Sequence, residues 1–376
     1  MTAAYVDPRS GVTYSIETPR WCGVGGAPLF ITDLPGITRD RIDTTTRSLW
    51  RYRAALPLPV ADPITMGEGC TPLLARRLYG AEVWLKCEWF MPTGSFKDRG
   101  ASVMLSMLRQ QGVTAVLEDS SGNGGAAVSA NAAAGGLHAT IMAPSSTSPA
   151  KTVQMRAHGA DVELIPGTRQ DTSAAAEARA AQIFYASHNW HPFFLQGTKS
   201  LAYELWEDFG FSIPDNIIVP CGAGSNVLGC FIGFSELMRS RAIDQLPRIF
   251  AAQPENCGPI AAAFHNGGVP VAVDVRPTIA EGTAIAAPIR LPEVVAALRD
   301  SGGGAVSLAE EEIVAATLGL AHQGIYVEPT CAQSAAAFQR LLADGTIKPG
   351  ENTVLVLTGT GLKATPRIAE MLGVSL

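Results

Sequence analysis

The residue whose type and setting most suggest chemistry is Lys97, within Met91-Pro92-Thr93-Gly94-Ser95-Phe96-Lys97-Asp98-Arg99-Gly100. Pro92 and Gly94 make a tight bend, and Ser95 offers a side-chain oxygen where a helix N-cap is wanted. From Phe96 to Gln111, the apolar Val103, Met104, Met107 and Leu108 recur at helical spacing, which predicts a helix with Lys97 in its first turn. The positive end of the helix dipole disfavours an ammonium there and helps keep the amine nucleophilic. For a lone lysine so placed, a solvated surface residue would be the simpler reading. Its meaning depends on the loops elsewhere in the chain.

Three such loops stand out. Ser120-Ser121-Gly122-Asn123-Gly124-Gly125 follows an apolar run and opens an alanine-rich stretch. A loop of this kind presents several backbone N–H groups, an arrangement that suits a carboxylate or a phosphate. Pro220-Cys221-Gly222-Ala223-Gly224-Ser225-Asn226 lies between the apolar run 216–219 and a helix predicted from near Val227. No Lys or Arg is nearby, so it is no Walker loop, and it does not spell the dinucleotide fingerprint. Thr358-Gly359-Thr360-Gly361-Leu362-Lys363 follows the last apolar run, Val354 to Leu357. Taken singly, each loop is also an ordinary turn.

The elements that must position these loops are legible. Runs at 114–118, 138–143, 161–165 and 183–185 alternate with helical stretches at 124–134, 149–158 and 171–181, which predicts a small parallel-sheet domain. The alternation resumes after residue 200, with strands expected at 216–219, 249–253 and 354–358. The 376 residues suffice for two domains; 47% hydrophobic and 16% charged residues describe a well-cored chain. A net charge of −6 gives no footprint for nucleic acid or an anionic membrane. No apolar run reaches bilayer length and no basic apolar leader is present, so a cytoplasmic enzyme is expected. Seven scattered cysteines fit reduced thiols better than a disulfide framework.

The lysine motif and the three loops, in this order, resemble the tryptophan synthase beta-like (fold type II) enzymes that use pyridoxal 5'-phosphate (PLP), and threonine synthases most closely. The resemblance runs from the N-terminal appendage, through Gly67-Glu68-Gly69-Cys70-Thr71-Pro72-Leu73, to Lys363. It implies two parallel-sheet α/β domains with the cofactor in the cleft between them. The expected division is an appendage at 1–45, a large PLP domain of 46–100 plus 200–376, and a small α/β domain at 101–199. Lys97 would carry the cofactor as a Schiff base, with Phe96 beside it, and later act as the base at the substrate Cα. Asn123 would meet the phenolic oxygen of PLP. Gly222, Ala223, Gly224, Ser225 and Asn226 would cradle its phosphate, and Glu281 would line the ring. Thr358 would place a hydroxyl at the pyridine nitrogen, making the cofactor a milder electron sink suited to elimination and replacement. Ser120, Ser121, Gly122, Asn123 and Gly124 would hold the substrate carboxylate. His188, Trp190 and His191 are expected only to shape the site. A homodimer acting on a small amino acid, with no nucleic-acid or membrane partner, completes the expectation.

The sequence also departs from the threonine-synthase pattern. Gly124 stands where that pattern has a threonine, Ala223 where it has an asparagine, and Phe194 where it has an arginine. At about 1.5–3 kcal/mol per hydrogen bond to a charged group, losing three partners of a substrate phosphate costs more than about a thousandfold in affinity. The expectation is therefore a lyase for an unphosphorylated amino acid, and an arginine restored at position 194 would improve phosphate binding. The rivals are a true threonine synthase, a serine/threonine-type dehydratase and a non-catalytic PLP-binding protein; the intact lysine, loops and ring partner weigh against the last.

The appendage from Tyr5 to Leu29 resembles the zinc ribbon that many threonine synthases carry here. Only Cys22 remains, with Asp7, Ser10 and Gly25 in places where thiolates belong. One thiolate cannot hold a structural zinc. Elemental analysis of the purified protein should therefore find far less than one zinc per chain. Stoichiometric zinc that is lost on Cys22→Ser would contradict this reading.

Overall fold

Short apolar runs separated by alanine-rich stretches become parallel strands and helices, because strands fed by crossover helices can bury both sheet faces. A computed structural model describes residues 3–147 and 149–375. The chain packs as two units. The first takes residues up to Gly69, then Met91–Thr93 and Lys97–Ser200; the second takes Cys70–Phe90, Gly94–Phe96 and residues from Leu201 onward.

The first unit opens on a small antiparallel sheet of β1 (Ala4–Val6), β2 (Thr13–Ser15) and β3 (Phe30–Ile31), in the order β2-β1-β3. Asp7 at its turn accepts from the Ser10 hydroxyl and the Arg9 N–H, and Cys22 bridges to Pro28. Next in the chain come β4 (Leu73–Leu78) and β5 (Ala81–Cys87), an antiparallel pair belonging to the second unit. The main sheet of the first unit is then built from β6 (Ala115–Glu118), β7 (His138–Pro144), β8 (Asp161–Ile165) and β9 (Phe184–Tyr185). All four are parallel, in the order β8-β7-β6-β9. The second unit continues with β10 (Asn216–Pro220), β11 (Arg248–Pro254), β12 (Gly304–Leu308) and β13 (Thr353–Leu357). Its six strands run β12-β11-β10-β13-β5-β4, with only β4 antiparallel. Strands β10 and β13 are buried at every residue, as central parallel strands covered on both faces must be. Sequence periodicity passed over β4 and β12. The Arg76-Arg77 pair makes the edge strand β4 polar, and Gly304 opens β12.

The expected domain division needs correcting at 46–69, 91–93, 97–100 and 200, which belong to the first unit. Trp50 is the reason. Its indole N–H meets both the Glu68 carboxylate and the Ser102 hydroxyl at 3.0 Å. Ser102 Oγ in turn donates to the Ile64 carbonyl at 2.7 Å, and the Ile64 N–H donates to Ser106 Oγ at 2.8 Å. Trp50, Ile64, Met104 and Leu108 share one apolar core with Val116 and Ile141. The entry segment is thus pinned to the helix that starts at Lys97. Among the described residues no helix is long and apolar enough to cross a membrane.

Within the second unit, β5 carries a buried cation. Lys86 is fully buried, and its Nζ lies 2.7 Å from Glu204, 2.7 Å from Asp208 and 2.8 Å from the Thr71 carbonyl. Glu204 also accepts from the N–H groups of Cys70 and Thr71 at 2.9 and 2.7 Å. Removing one partner from such a cluster leaves charge buried without compensation. Lys86→Ala should lower unfolding free energy by about 3–5 kcal/mol in urea titration, whereas a change below about 1 kcal/mol would mean that the cluster behaves like a surface pair.

Candidate active site

The segment before Lys97 is placed by backbone pairing. Phe96 N–H donates to the Thr358 carbonyl at 2.9 Å, Thr360 N–H donates to the Gly94 carbonyl at 3.0 Å, and Ser95 bridges to Gly359. Lys97 is the next residue and begins the helix Lys97–Gln110. Ser95 is therefore not the N-cap the sequence suggested. Its hydroxyl is buried with no hydrogen-bond partner among the described residues. Asp98 secures the bend instead, accepting from Thr93 N–H at 2.7 Å and from Thr93 Oγ1 at 2.9 Å. The Lys97 ammonium stands 5.5 Å from the centroid of Phe194.

Phe194, on the helix Pro192–Thr198, is fully buried, and its ring presses on Gly100, where an added Cβ would fall within 2.5 Å of it. It forms the floor beneath Lys97 and does not itself offer a surface to a substrate. The expectation that an arginine at 194 would restore a phosphate site is corrected accordingly: a guanidinium there would enter the core.

Ser120–Gly124 links β6 to the helix Asn123–Gly135. The N–H groups of Ser121 and Gly124 donate to no described residue, Ser120 is nearly buried, and Gly122 is exposed. Asn123 begins the helix and is half-buried. This loop keeps donors free for an anion at a helix N-terminus, with no cationic side chain of its own.

In the second unit, Gly222, Ala223 and Ser225 are half-buried, and the N–H groups of Gly222, Ala223 and Gly224 have no acceptor among the described residues. Gly224 has φ +92°, and an added Cβ would fall 2.2 Å from Val294, so only glycine turns the chain here. Asn226 is 4% exposed, and both its amide oxygen and nitrogen are buried without a partner. A buried amide left unsatisfied costs about 1–3 kcal/mol unless a ligand satisfies it. A loop of free N–H groups beside such an amide fits the phosphate of PLP.

Thr358 is buried at the end of β13, its hydroxyl 3.3 Å from Cys331 Sγ. Cys331 is fully buried, takes the Gly359 N–H at 2.8 Å and donates to the Gly359 carbonyl at 3.1 Å. Burial pushes its thiol well above the ordinary range, so it stays protonated and orients the Thr358 turn. Sequence reading passed over Cys331, as it did Gln333, whose amide donates to Thr283 Oγ1 at 2.9 Å. Thr283 lies beside the cradle: a Cβ on Gly222 would be 3.1 Å from its Cα. Glu281 departs from its expected role. Its carboxylate is 44% exposed and paired with Arg367 at 3.0 Å, so backbone at 282–283, not that side chain, borders the loop.

A reactive-lysine helix start, a phosphate-fitting cradle and a hydroxyl at the end of the last strand define a PLP enzyme. The chain belongs to the pyridoxal-phosphate dependent enzyme family, whose model matches residues 64–359. Its relatives place it with the threonine-synthase-like members. The threonine synthase of Methanosarcina acetivorans is 33% identical over 336 residues, covering 87% of this chain and 83% of that protein. That of Methanocaldococcus jannaschii is 32% identical over 370 residues, covering 94% and 91%. The fold is shared with a fungal L-serine ammonia-lyase from Rhizomucor miehei, at TM-score 0.71 and 20% identity over 81% of this chain and 98% of that one. It is also shared with threonine deaminase isoform 2 from Solanum lycopersicum, at TM-score 0.68 and 23% identity over 81% and 88%.

PLP is thus the cofactor. The protein should be yellow when loaded, and Lys97→Ala should lose the visible band of lysine-bound PLP. A wild-type chain that stays colourless after incubation with PLP would refute the assignment of Lys97 and its cradle.

Proposed function

We propose that this PLP-dependent lyase removes a side-chain substituent from an unphosphorylated amino acid. In this reading Lys97 would hold the cofactor, and its amine would take the proton from Cα. The Ser121 and Gly124 N–H groups hold the substrate carboxylate, with Ser120, Gly122 and Asn123 shaping that loop. The Gly222–Asn226 loop holds the cofactor phosphate, and the Thr358 hydroxyl, steadied by Cys331, serves the ring nitrogen. When bound, PLP supplies an electron sink for the pair left at Cα. Seven cysteines without a disulfide support a reducing, cytoplasmic setting, and a homodimer is part of the same proposal.

The observation that carries the substrate reading is the absence of side-chain donors where a phosphate would need them. Gly124 and Ala223 offer none. Arg169, the cation tied to this end of β6, is already paired with Asp119 at 2.6 Å. The second reading is threonine synthase itself, favoured by the relatives' identity. Steady-state assays that follow threonine and phosphate together separate the two. The expected kcat/KM for O-phosphohomoserine lies about a thousandfold or more below that for the best unphosphorylated amino acid. Turnover of O-phosphohomoserine with a KM in the usual range of about 1 μM to 1 mM would restore the threonine-synthase reading.

A further inference from the structure

Glu118 and His188 form a buried titratable pair at the edge of the carboxylate loop. Glu118 ends β6, two residues before Ser120, and is fully buried. Its Oε2 accepts the His188 N–H at 3.0 Å. Its Oε1 accepts the Asp119 N–H at 3.0 Å and lies 3.0 Å from His188 Nδ1. One carboxylate therefore fixes both the backbone and the ring of His188, and Nε2 has no partner among the described residues. The residue keeps 8% of its surface exposed.

The ring occupies a space that the sequence keeps clear. A Cβ on Gly124 would fall 2.7 Å from His188 Nδ1 and 2.8 Å from its Cε1, so any side chain at 124 would displace the imidazole. The same point is 2.9 Å from Ser120 Oγ, which puts the ring over the start of the loop. His188 also packs on Phe194, ring centroids 5.7 Å apart, the floor on which the Lys97 ammonium stands. An imidazole, a carboxylate-binding loop and the reactive lysine thus meet within the first unit.

We propose that Glu118 and His188 are a proton relay for the substrate side chain, with His188 Nε2 protonating the departing oxygen and Glu118 resupplying Nδ1. The inference rests on the lyase reading above and deepens it: the leaving group is a hydroxyl. Hydroxide departs poorly without a proton, whereas a phosphate brings its own acidity. The step balances. The Cα proton goes to the Lys97 amine, and the pair left at Cα becomes the new carbon–carbon double bond. As the C–O bond breaks, its electrons stay on oxygen, which takes the Nε2 proton and leaves as water. The Glu118 proton crosses to Nδ1, leaving a carboxylate and a neutral imidazole. Here His188 is the catalytic residue and Glu118 a positioning residue acting through it.

The electrostatics support a pair that stores one proton. Burial raises the Glu118 carboxyl above its ordinary range, against its backbone donors and the cations Arg169 and Lys97. Burial, then Lys97, lowers His188 well below the imidazole range, with Arg169 acting in the same sense and Asp119 opposing. Tyr185, from β9, also faces the cluster and stays a neutral phenol, because burial drives its titration up. Both members therefore favour their uncharged forms. Below its transition the pair is a protonated Glu118 against Nδ1 with hydrogen on Nε2; above it, Glu118 is ionised and the hydrogen sits on Nδ1.

Nitrogen-15 NMR of the PLP-loaded, histidine-labelled chain tests this without reading activity. His188, assigned by its loss in His188→Asn, should pass from the Nε2–H to the Nδ1–H tautomer as pH is raised, with no imidazolium. Glu118→Gln should fix a single tautomer. An imidazolium, or one tautomer throughout in the wild type, overturns the relay. The kinetic arm compares L-serine and L-threonine with 3-chloro-L-alanine, whose chloride needs no proton. His188→Asn and Glu118→Gln should each cut kcat for the hydroxy substrate by about a hundredfold or more while changing the chloride reaction less than about tenfold. Equal loss on both leaving groups, no loss on either, or hydroxy amino acids inert where the chloride is turned over, overturns the relay. A yellow wild-type protein inert towards all three substrates would sink the lyase reading instead.

Discussion

Where Lys97 emerges depends on the short antiparallel pairing of Gly94–Phe96 with Thr358–Thr360. Two backbone hydrogen bonds fix it, Phe96 to Thr358 at 2.9 Å and Thr360 to Gly94 at 3.0 Å. Because Lys97 is the next residue, this pairing fixes the stretch of chain that leads into its helix. The pairing itself is made by main chain alone. Asp98 then ties the bend to Thr93. The bend that leads to the reactive amine is thus held by main chain and by a carboxylate.

Around that pairing the second unit uses neutral polar groups to hold its loops. Gln253 accepts from the N–H groups of Ile260 and Ala261 at 2.9 Å and donates to the Cys221 carbonyl at 2.9 Å, fixing the root of the phosphate cradle. Thr330 accepts the Gly282 N–H at 3.0 Å, and Cys331 holds the Thr358 turn. Buried polar groups that are fully paired rigidify their surroundings. Ser95 Oγ and the Asn226 amide are among the buried polar atoms without a partner among the described residues, and both lie in loops assigned to the cofactor.

The loops were legible in the sequence because their chemistry is local. Glycine at 222 and 224, a preceding apolar run and a following helix belong to one stretch, and so does the bend at Pro92 and Gly94. The parallel alternation was legible for the same reason, since each strand and helix declares its own period. What stayed hidden depends on partners far apart in the chain. Ser95 looked like a cap because the sequence could not show that Gly359 would claim its backbone. Phe194 looked like a substrate contact until Gly100 was seen to lie under its ring. His188 reads from the sequence only as shaping the site, because its partner is seventy residues away. One clue was present, since Gly124 interrupts a loop where a side chain would be unexceptional, and the imidazole explains the vacancy. The same distance effect hid the true membership of 46–69, which Trp50 settles through Ser102.

Strand β5 has a consequence for how the chain is made. Its two neighbours are β4, its own hairpin partner, and β13, where Val354 pairs with Trp84 and Leu357 with Cys87. On a ribosome the hairpin emerges early, and β13 is among the last segments to follow. At the usual elongation rate that delay is on the order of 15–50 s. Throughout it β5 has one open edge and an apolar face of Val83, Leu85 and Cys87. The first unit's segments are complete by Ser200, so it can gather its core while the hairpin waits. The segment that delivers the reactive lysine therefore stays unpinned until Thr358 is made. A truncated chain that stops short of β13 would lack a catalytic lysine in place as well as a central strand, and nascent protein cannot act before it is finished.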